Sequence, residues 1–162
     1  MGQIQRIQTV YFVLAAIFCG LTFLFDLYEG SAVGGTVSVV VKTMATEVSL
    51  AGGTLQKQPH YGLIVVAALN TVFPLLVALL YNNRMLQARL TSIAMILFIG
   101  QVVLGFYRIN EAQDGPLGDV LELDQQYLPG YFLPLAAILL LMLARRAIMK
   151  DEKLVRSANR LR

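Results

Sequence analysis

The sequence of residues 61–83 is YGLIVVAALNTVFPLLVALLYNN, a run without any charged side chain. An α-helix rises about 1.5 Å per residue, and the hydrocarbon core of a bilayer is about 30 Å thick. A helix over this run is therefore long enough to cross a membrane once. We take the run as a predicted membrane span and look for others like it.

Three more uncharged runs of similar length occupy residues 7–25, 90–107 and 125–144. Hydrophobic residues make up 57% of the 162 residues and charged residues only 14%, whereas a soluble domain usually has about a quarter charged residues. The composition therefore excludes an ordinary soluble domain. The predicted fold is an all-α membrane protein with four transmembrane helices in an antiparallel bundle.

The four predicted spans, at about 7–28, 61–82, 88–108 and 129–148, form a single membrane domain over residues 1–162. An outer loop at 30–60 has alternating valines between glycine pairs, which predicts a small β-hairpin or meander. A second outer loop at 109–128 is acidic, and its irregular acid spacing favours a solvated surface over a calcium site. Residues 149–162 form a basic tail.

The basic residues are divided unequally between the two sides of this predicted arrangement. Ten of the thirteen fall with the termini and the hinge between the second and third spans, while Lys42, Lys57 and Arg108 fall on the other side. Translocated loops are depleted of Lys and Arg, so both termini are predicted in the cytoplasm. Eight of the ten acidic residues lie on the outer side, which strengthens the separation of charge.

A basic cytoplasmic face is the strongest candidate contact site in the sequence. In the tail, basic residues recur at steps of four, three and seven, which places them on one face of a helix. Anionic lipid headgroups are the favoured ligand, a cytoplasmic protein is the alternative, and nucleic acid is disfavoured because no aromatic residues are interleaved. The residues of this predicted face are Arg6, Arg84, Arg89, Arg146, Lys150, Lys153, Arg156 and Arg160.

Few polar side chains fall inside the predicted spans. Asn70 and Thr71 of the second span and Gln101 of the third are at comparable depths, so we expect a hydrogen bond between helices. A substrate-binding pair is the alternative interpretation. At the outer helix ends, Asp26 and Arg108 are predicted to form an ion pair, with separate solvation as the alternative.

The sequence offers little for catalysis. His60 is the only histidine, and its position before Tyr61 suits a loop residue at the membrane interface. Cys19, the only cysteine, is expected to pack inside the first helix. No nucleophile elbow, metal-ligand spacing or phosphate-binding pattern accompanies them. We therefore expect no enzyme activity, no cofactor and no metal.

Three segments carry a resemblance to a known family: IQRIQTVY at 4–11, YNNR with LQARL at 81–90, and KDEKLVRSANRLR at 150–162. Together they are similar to the bacterial integral-membrane family catalogued as domain of unknown function 4293. The resemblance implies four helices in the inner membrane of a Gram-negative bacterium. It supplies no activity, substrate or catalytic residue.

These observations favour a non-enzymatic accessory or scaffold protein of the bacterial inner membrane. Its basic cytoplasmic face would contact a partner protein or anionic lipid. The alternative is a small oligomeric transporter or channel that uses Asn70, Thr71 and Gln101 as a polar stripe. The sequence leaves open whether the chain associates with copies of itself.

Overall fold

The fold contains four helices, named in chain order α1 to α4. A computed structural model of the chain describes residues 2–32, 37–50, 53–80, 83–114 and 123–160. The helices are α1 (Gly2–Leu21), α2 (Tyr61–Leu79), α3 (Arg84–Gln113) and α4 (Pro129–Arg160). The Asn83 side chain accepts a hydrogen bond from the Leu86 amide and so caps the start of α3. Pro129 is the first residue of α4 and suits this position, because proline has no N–H and the N–H of the first helical residue has no partner within the helix.

Three of these helices are long and apolar enough to span a membrane: Tyr61–Leu79, Arg84–Gln113 and, within α4, Pro129–Val155. The chain is thus a membrane protein. Within the described residues, the prediction of four transmembrane helices is met by only three: the first span was predicted over about 7–28, but α1 ends at Leu21 and its apolar stretch, Ile7–Leu21, is shorter than the three spans. α1 ends there because the chain turns at once, with the Thr22 hydroxyl bonded to the Cys19 carbonyl oxygen at 2.6 Å.

Each helix packs against two others, so that α1 and α3 both lie between α2 and α4. The core between them is built from large apolar side chains and small residues. Phe12, Phe98 and Leu141 are fully buried within it, beside alanines that let the helices approach closely. Many other apolar side chains, such as Ile96 and Leu139, point away from this core.

The prediction of an all-α protein is wrong, because a five-stranded antiparallel sheet covers one end of the helices. The strands are β1 (Tyr28–Ala32), β2 (Val37–Val41), β3 (Ala45–Leu50), β4 (Gly53–Pro59) and β5 (Leu123–Tyr127). Their spatial order in the sheet is β4-β3-β2-β1-β5. A hairpin or meander was expected within residues 30–60, but β1 starts before that loop and β5 comes from the loop predicted at 109–128.

Pairing between β1 and β5 explains why the sheet is larger than the sequence suggested. Tyr28 is opposite Tyr127, and Gly30 is opposite Gln125. The two strands are far apart in the chain, and neither has the run of β-branched residues that marks β2. They form a strand pair because β1 follows α1, β5 precedes α4, and these two helices pack against each other.

The sheet has one face toward the helices and one charged face. Val37, Val39 and Val41 are buried, as the period of two in a strand requires. On the charged face, Glu47 lies 2.7 Å from Lys42 and 2.9 Å from Lys57. Hydrogen bonds from these two ammonium groups lower the pKa of Glu47 to about 2.

A second apolar core joins the sheet to the helix ends. Leu27 and Tyr28 pack there with Val41, Leu63 and Ile109. These residues come from the segment between α1 and β1, the sheet, the start of α2 and the last part of α3. We call this end of the molecule the sheet end and the opposite end of the helices the basic end.

The start of α4 lies directly on the backbone that follows α1. The Gly130 amide donates to the Asp26 carbonyl oxygen at 3.1 Å, and the Leu128 amide donates to the Leu27 carbonyl oxygen at 3.1 Å. A Cβ at Gly130 would stand 2.5 Å from that Asp26 oxygen. The close approach therefore requires glycine at this position.

His60 is part of this junction and not a solvent-facing loop residue. Its side chain is 1% exposed. Nδ1 lies 3.3 Å from the Lys42 carbonyl oxygen, which can only accept, so Nδ1 carries the proton. Nε2 then accepts from the Thr46 hydroxyl at 3.0 Å. The neutral ring thus ties the start of α2 to β3 and to the turn before it.

Candidate functional site

Three polar side chains form a buried cluster across α1, α2 and α3. Asn70 Nδ2 donates to Gln101 Oε1 at 2.8 Å, so the hydrogen bond expected between α2 and α3 is present. The Cys19 thiol of α1 donates to the same oxygen at 3.3 Å. Asn70, Gln101 and Cys19 are all buried.

Backbone oxygens complete this cluster. Asn70 Nδ2 also reaches the Leu97 carbonyl oxygen at 3.2 Å, and the Thr71 hydroxyl bonds within its own helix to the Ala67 oxygen at 2.9 Å. Both N–H groups of the Asn70 amide are therefore used in contacts with α3, whereas its Oδ1 is buried without a hydrogen-bond partner among the described residues. The sequence did not associate Cys19 with this cluster, because a thiol is only a weak hydrogen-bonding group.

At the basic end, α4 continues beyond the apolar core without a break and stays attached to α3. Asp151 Oδ2 lies 2.7 Å from Arg84 NH1, and both side chains are partly buried. Ile148 of α4 and Ala88 of α3 are buried in the core at the same level. One end of the predicted basic tail is thus a fixed part of the helix assembly.

A groove of about 850 Å³ runs between α3 and α4 toward this end. Its apolar part includes Met95, Ile96 and Ile99 on α3, with Ile138 and Met142 opposite them on α4. Farther along α4 the lining changes to four basic residues, which we call the cation cluster: Arg145, Arg146, Lys150 and Lys153. All four side chains are exposed.

The structure brings together only some of the predicted basic face. Arg146, Lys150 and Lys153 meet in the cation cluster, Arg84 is bound to Asp151, and Arg89 is exposed outside the groove lining. Three further members lie in helices, but their side chains fall outside the described residues: Arg6, Arg156 and Arg160.

The predicted ion pair between Asp26 and Arg108 is wrong. Arg108 NH1 lies 2.6 Å from Glu111 Oε2, one turn farther along α3. The ion pairs among the described residues include none with Asp26. The reason is local: Glu111 is three residues from Arg108 on the same helix, so it reaches the guanidinium without any tertiary contact.

Sequence reasoning missed two parts of this site. The sequence does not single out Asp151, although its ion pair with Arg84 holds the tail to α3. The groove itself has no sequence signal, because Met95, Ile96 and Met142 resemble any other apolar residues of a span. It becomes visible only once the relative rotation of α3 and α4 is known.

Comparison with known proteins adds one finding. The family model described as Domain of unknown function (DUF4293) matches residues 4–161, which is nearly the whole chain. None of the curated proteins compared with the chain matches it. The match therefore gives the family without an activity.

Proposed function

The chain belongs to the DUF4293 family, and from its structure we propose that it is a non-enzymatic membrane accessory or scaffold protein. In this proposal the basic end lies in the cytoplasm, at the inner membrane of a bacterium, and contacts an acidic group on a partner protein or an anionic lipid. The sheet end lies on the other side of the membrane. No catalytic step is part of the proposal.

The observation that carries this proposal is the attachment of α4 to α3 at the basic end. The ion pair between Arg84 and Asp151 holds the last part of α4 against the helix assembly. The cation cluster is consequently presented in one arrangement and not on a flexible tail. A fixed array of charges binds with a smaller loss of conformational entropy than a disordered one.

The charge distribution supports the proposed orientation. The cation cluster lies at the end opposite the sheet, and cytoplasmic segments of membrane proteins carry an excess of Lys and Arg. At the sheet end, Lys42 and Lys57 both form ion pairs with Glu47, and Arg108 forms an ion pair with Glu111. Among the residues that the structure describes, the basic side chains outside any ion pair are thus concentrated at the basic end.

The alternative of a transporter or channel has weaker support. It would rely on Asn70, Thr71 and Gln101, and these side chains bond to each other or to backbone oxygens of the helices. Such bonding favours a role in helix contact. We therefore keep a single proposed function.

The proposal can be tested by crosslinking in native membranes followed by purification of the intact protein. The test variant combines Arg146→Gln, Lys150→Gln and Lys153→Gln, and Lys57→Gln at the sheet end is the control. We expect the test variant to lose a protein or an anionic lipid that the wild type and the control both retain. Equal recoveries from all three proteins would contradict the proposal.

A further inference from the structure

The groove between α3 and α4 has an apolar lining along one part of its length and a basic lining along the next. Its apolar part lies within the candidate membrane spans, where the surrounding medium is lipid. Ile96 and Ile99 are 67% and 50% exposed, so the protein itself leaves these side chains uncovered. In a membrane, what covers them is either an acyl chain or another protein.

The apolar part extends over about two thirds of one leaflet. Ile138 and Arg145 are seven residues apart on α4, which corresponds to about 10 Å along the helix. Half of a bilayer core is about 15 Å thick. An acyl chain that enters the groove from the bilayer centre therefore has its headgroup at the level of Arg145 and the residues beyond it.

The cation cluster lies at that level. Within the described part of the chain, the groove lining contains four basic residues and no acid, and the nearby Asp151 is bound to Arg84. Arginine binds phosphate oxygens with two parallel hydrogen bonds, and lysine adds a mobile point charge. The charge of the lining is thus complementary to a phosphate group that carries no balancing cation.

We propose that this groove is a binding site for an anionic phospholipid, with an acyl chain on the apolar part and the phosphate in the cation cluster. The inference rests on the proposed function, since it identifies the ligand of the basic end. A soluble protein in the cytoplasm does not reach Ile96 or Ile138, whereas a phospholipid contacts both parts of the groove at once. A zwitterionic lipid fits the apolar part but places its own cation among the four of the cluster.

The test uses the full chain, purified in mild detergent and analysed by native mass spectrometry. The probes are phosphatidylglycerol and phosphatidylcholine with identical acyl chains. Since each basic residue near a membrane surface contributes about a fivefold gain in anion binding, we expect the wild type to prefer phosphatidylglycerol by at least about tenfold. Equal binding of the two lipids would overturn the proposal.

Two pairs of variants locate the site. Arg145→Gln with Arg146→Gln and Lys150→Gln should reduce the preference to about twofold or less, while Arg89→Gln, an exposed cation outside the groove lining, should leave it unchanged. Ile96→Trp fills the apolar part and should weaken both lipids, whereas Ile93→Trp, equally on α3 but outside the lining, should not. These apolar positions are exposed, so the substitutions do not disturb the core.

The results separate this inference from the function on which it rests. If the Ile96→Trp protein binds each lipid as strongly as the Ile93→Trp protein does, the groove is not the site. The same holds if Arg89→Gln lowers the preference as much as the combined change of Arg145, Arg146 and Lys150 does. The variant of the crosslinking test combines Arg146→Gln, Lys150→Gln and Lys153→Gln. If it still loses a protein partner in native membranes, the proposed function stands and only the lipid site is rejected. If neither lipid nor protein is lost, both fail.

Discussion

His60 holds α2 to the sheet through both nitrogens of its ring, and its burial favours the neutral form. Protonation of Nε2 would place a positive charge in this buried site and would require the Thr46 hydroxyl to accept a hydrogen bond where it now donates one. Burial lowers the pKa of His60 below its usual value, and the positive charge of Arg108 lowers it further. The Lys42 carbonyl and Glu111 oppose this shift without reversing it.

The direction of this shift predicts how stability depends on pH. With a lower pKa in the folded state, the unfolded chain binds more protons between the folded value and about 6.5, so stability rises with pH in that window. We expect the protein to lose stability as the pH falls below about 6.5. Thermal unfolding in detergent from pH 8 to pH 5 measures this loss, and His60→Gln should flatten the curve there. An unchanged slope in the variant would contradict the assignment.

The hydrogen bond between Asn70 and Gln101 joins α2 to α3 inside the apolar core. Hydrogen bonds between membrane helices typically contribute about 0.6 kcal/mol and at most about 2 kcal/mol, because the unfolded helices also find partners in the membrane. We expect a coupling energy of this size from a double-mutant cycle with Asn70→Ala and Gln101→Ala. Unfolding in mixed micelles with increasing dodecyl sulfate measures it.

A second cycle is the control for this coupling. It pairs Asn70→Ala with Val103→Ala, whose side chain is on α3 but 60% exposed. Its coupling energy should be close to zero, since side chains that share no contact contribute additively. If the two cycles give the same value, the bond has no specific role in stability.

Helix α4 is one continuous element of 32 residues, and its last part depends on its attachment to α3. Beyond Ile148, the ion pair between Arg84 and Asp151 holds that part against the start of α3. A partly exposed ion pair contributes up to about 1 kcal/mol, which corresponds to about a fivefold change in a local opening equilibrium. Asp151→Asn should therefore make the amides of residues 149–155 exchange their hydrogens about fivefold faster.

Two further variants show whether the pair itself is responsible. Arg89→Gln changes an exposed cation on α3, the helix that carries Arg84, and should leave the exchange rates as they are. The reversed pair, Arg84→Asp with Asp151→Arg, should restore slow exchange because the attraction is regained. Fast exchange in the reversed pair would mean that the two positions matter for a reason other than their charges.

At the scale of the whole molecule, the sequence predicts what depends on composition and period. The uncharged runs 61–83, 90–107 and 125–144 are long enough to span because hydrocarbon thickness sets one length for all of them. The bond between Asn70 and Gln101 was expected from their comparable depths in the predicted spans. The pairing of β1 with β5 could not be predicted, because it joins distant segments of weak strand propensity and arises from helix packing.

The candidate site shows the same division. Helical period alone places Arg146, Lys150 and Lys153 on one face, and the structure finds them together in the groove lining. The apolar half of the groove depends on how α3 and α4 face each other, which no local pattern records. Arg108 forms its ion pair with Glu111 and not with Asp26, because a neighbour three residues away on the same helix is within reach without any tertiary contact.

The proposed orientation of the whole molecule predicts which end reacts with an impermeant reagent. Cys19 is buried and is the only cysteine, so the wild type should stay unlabelled by a membrane-impermeant maleimide. Met44→Cys at the sheet end and Ser157→Cys at the basic end introduce exposed thiols. We expect Met44→Cys to be labelled in intact bacterial cells with a permeable outer membrane, and Ser157→Cys only after the inner membrane is opened. The reverse pattern would place the basic end on the periplasmic side of the inner membrane and contradict the proposed orientation, which follows from the excess of positive charge in cytoplasmic segments.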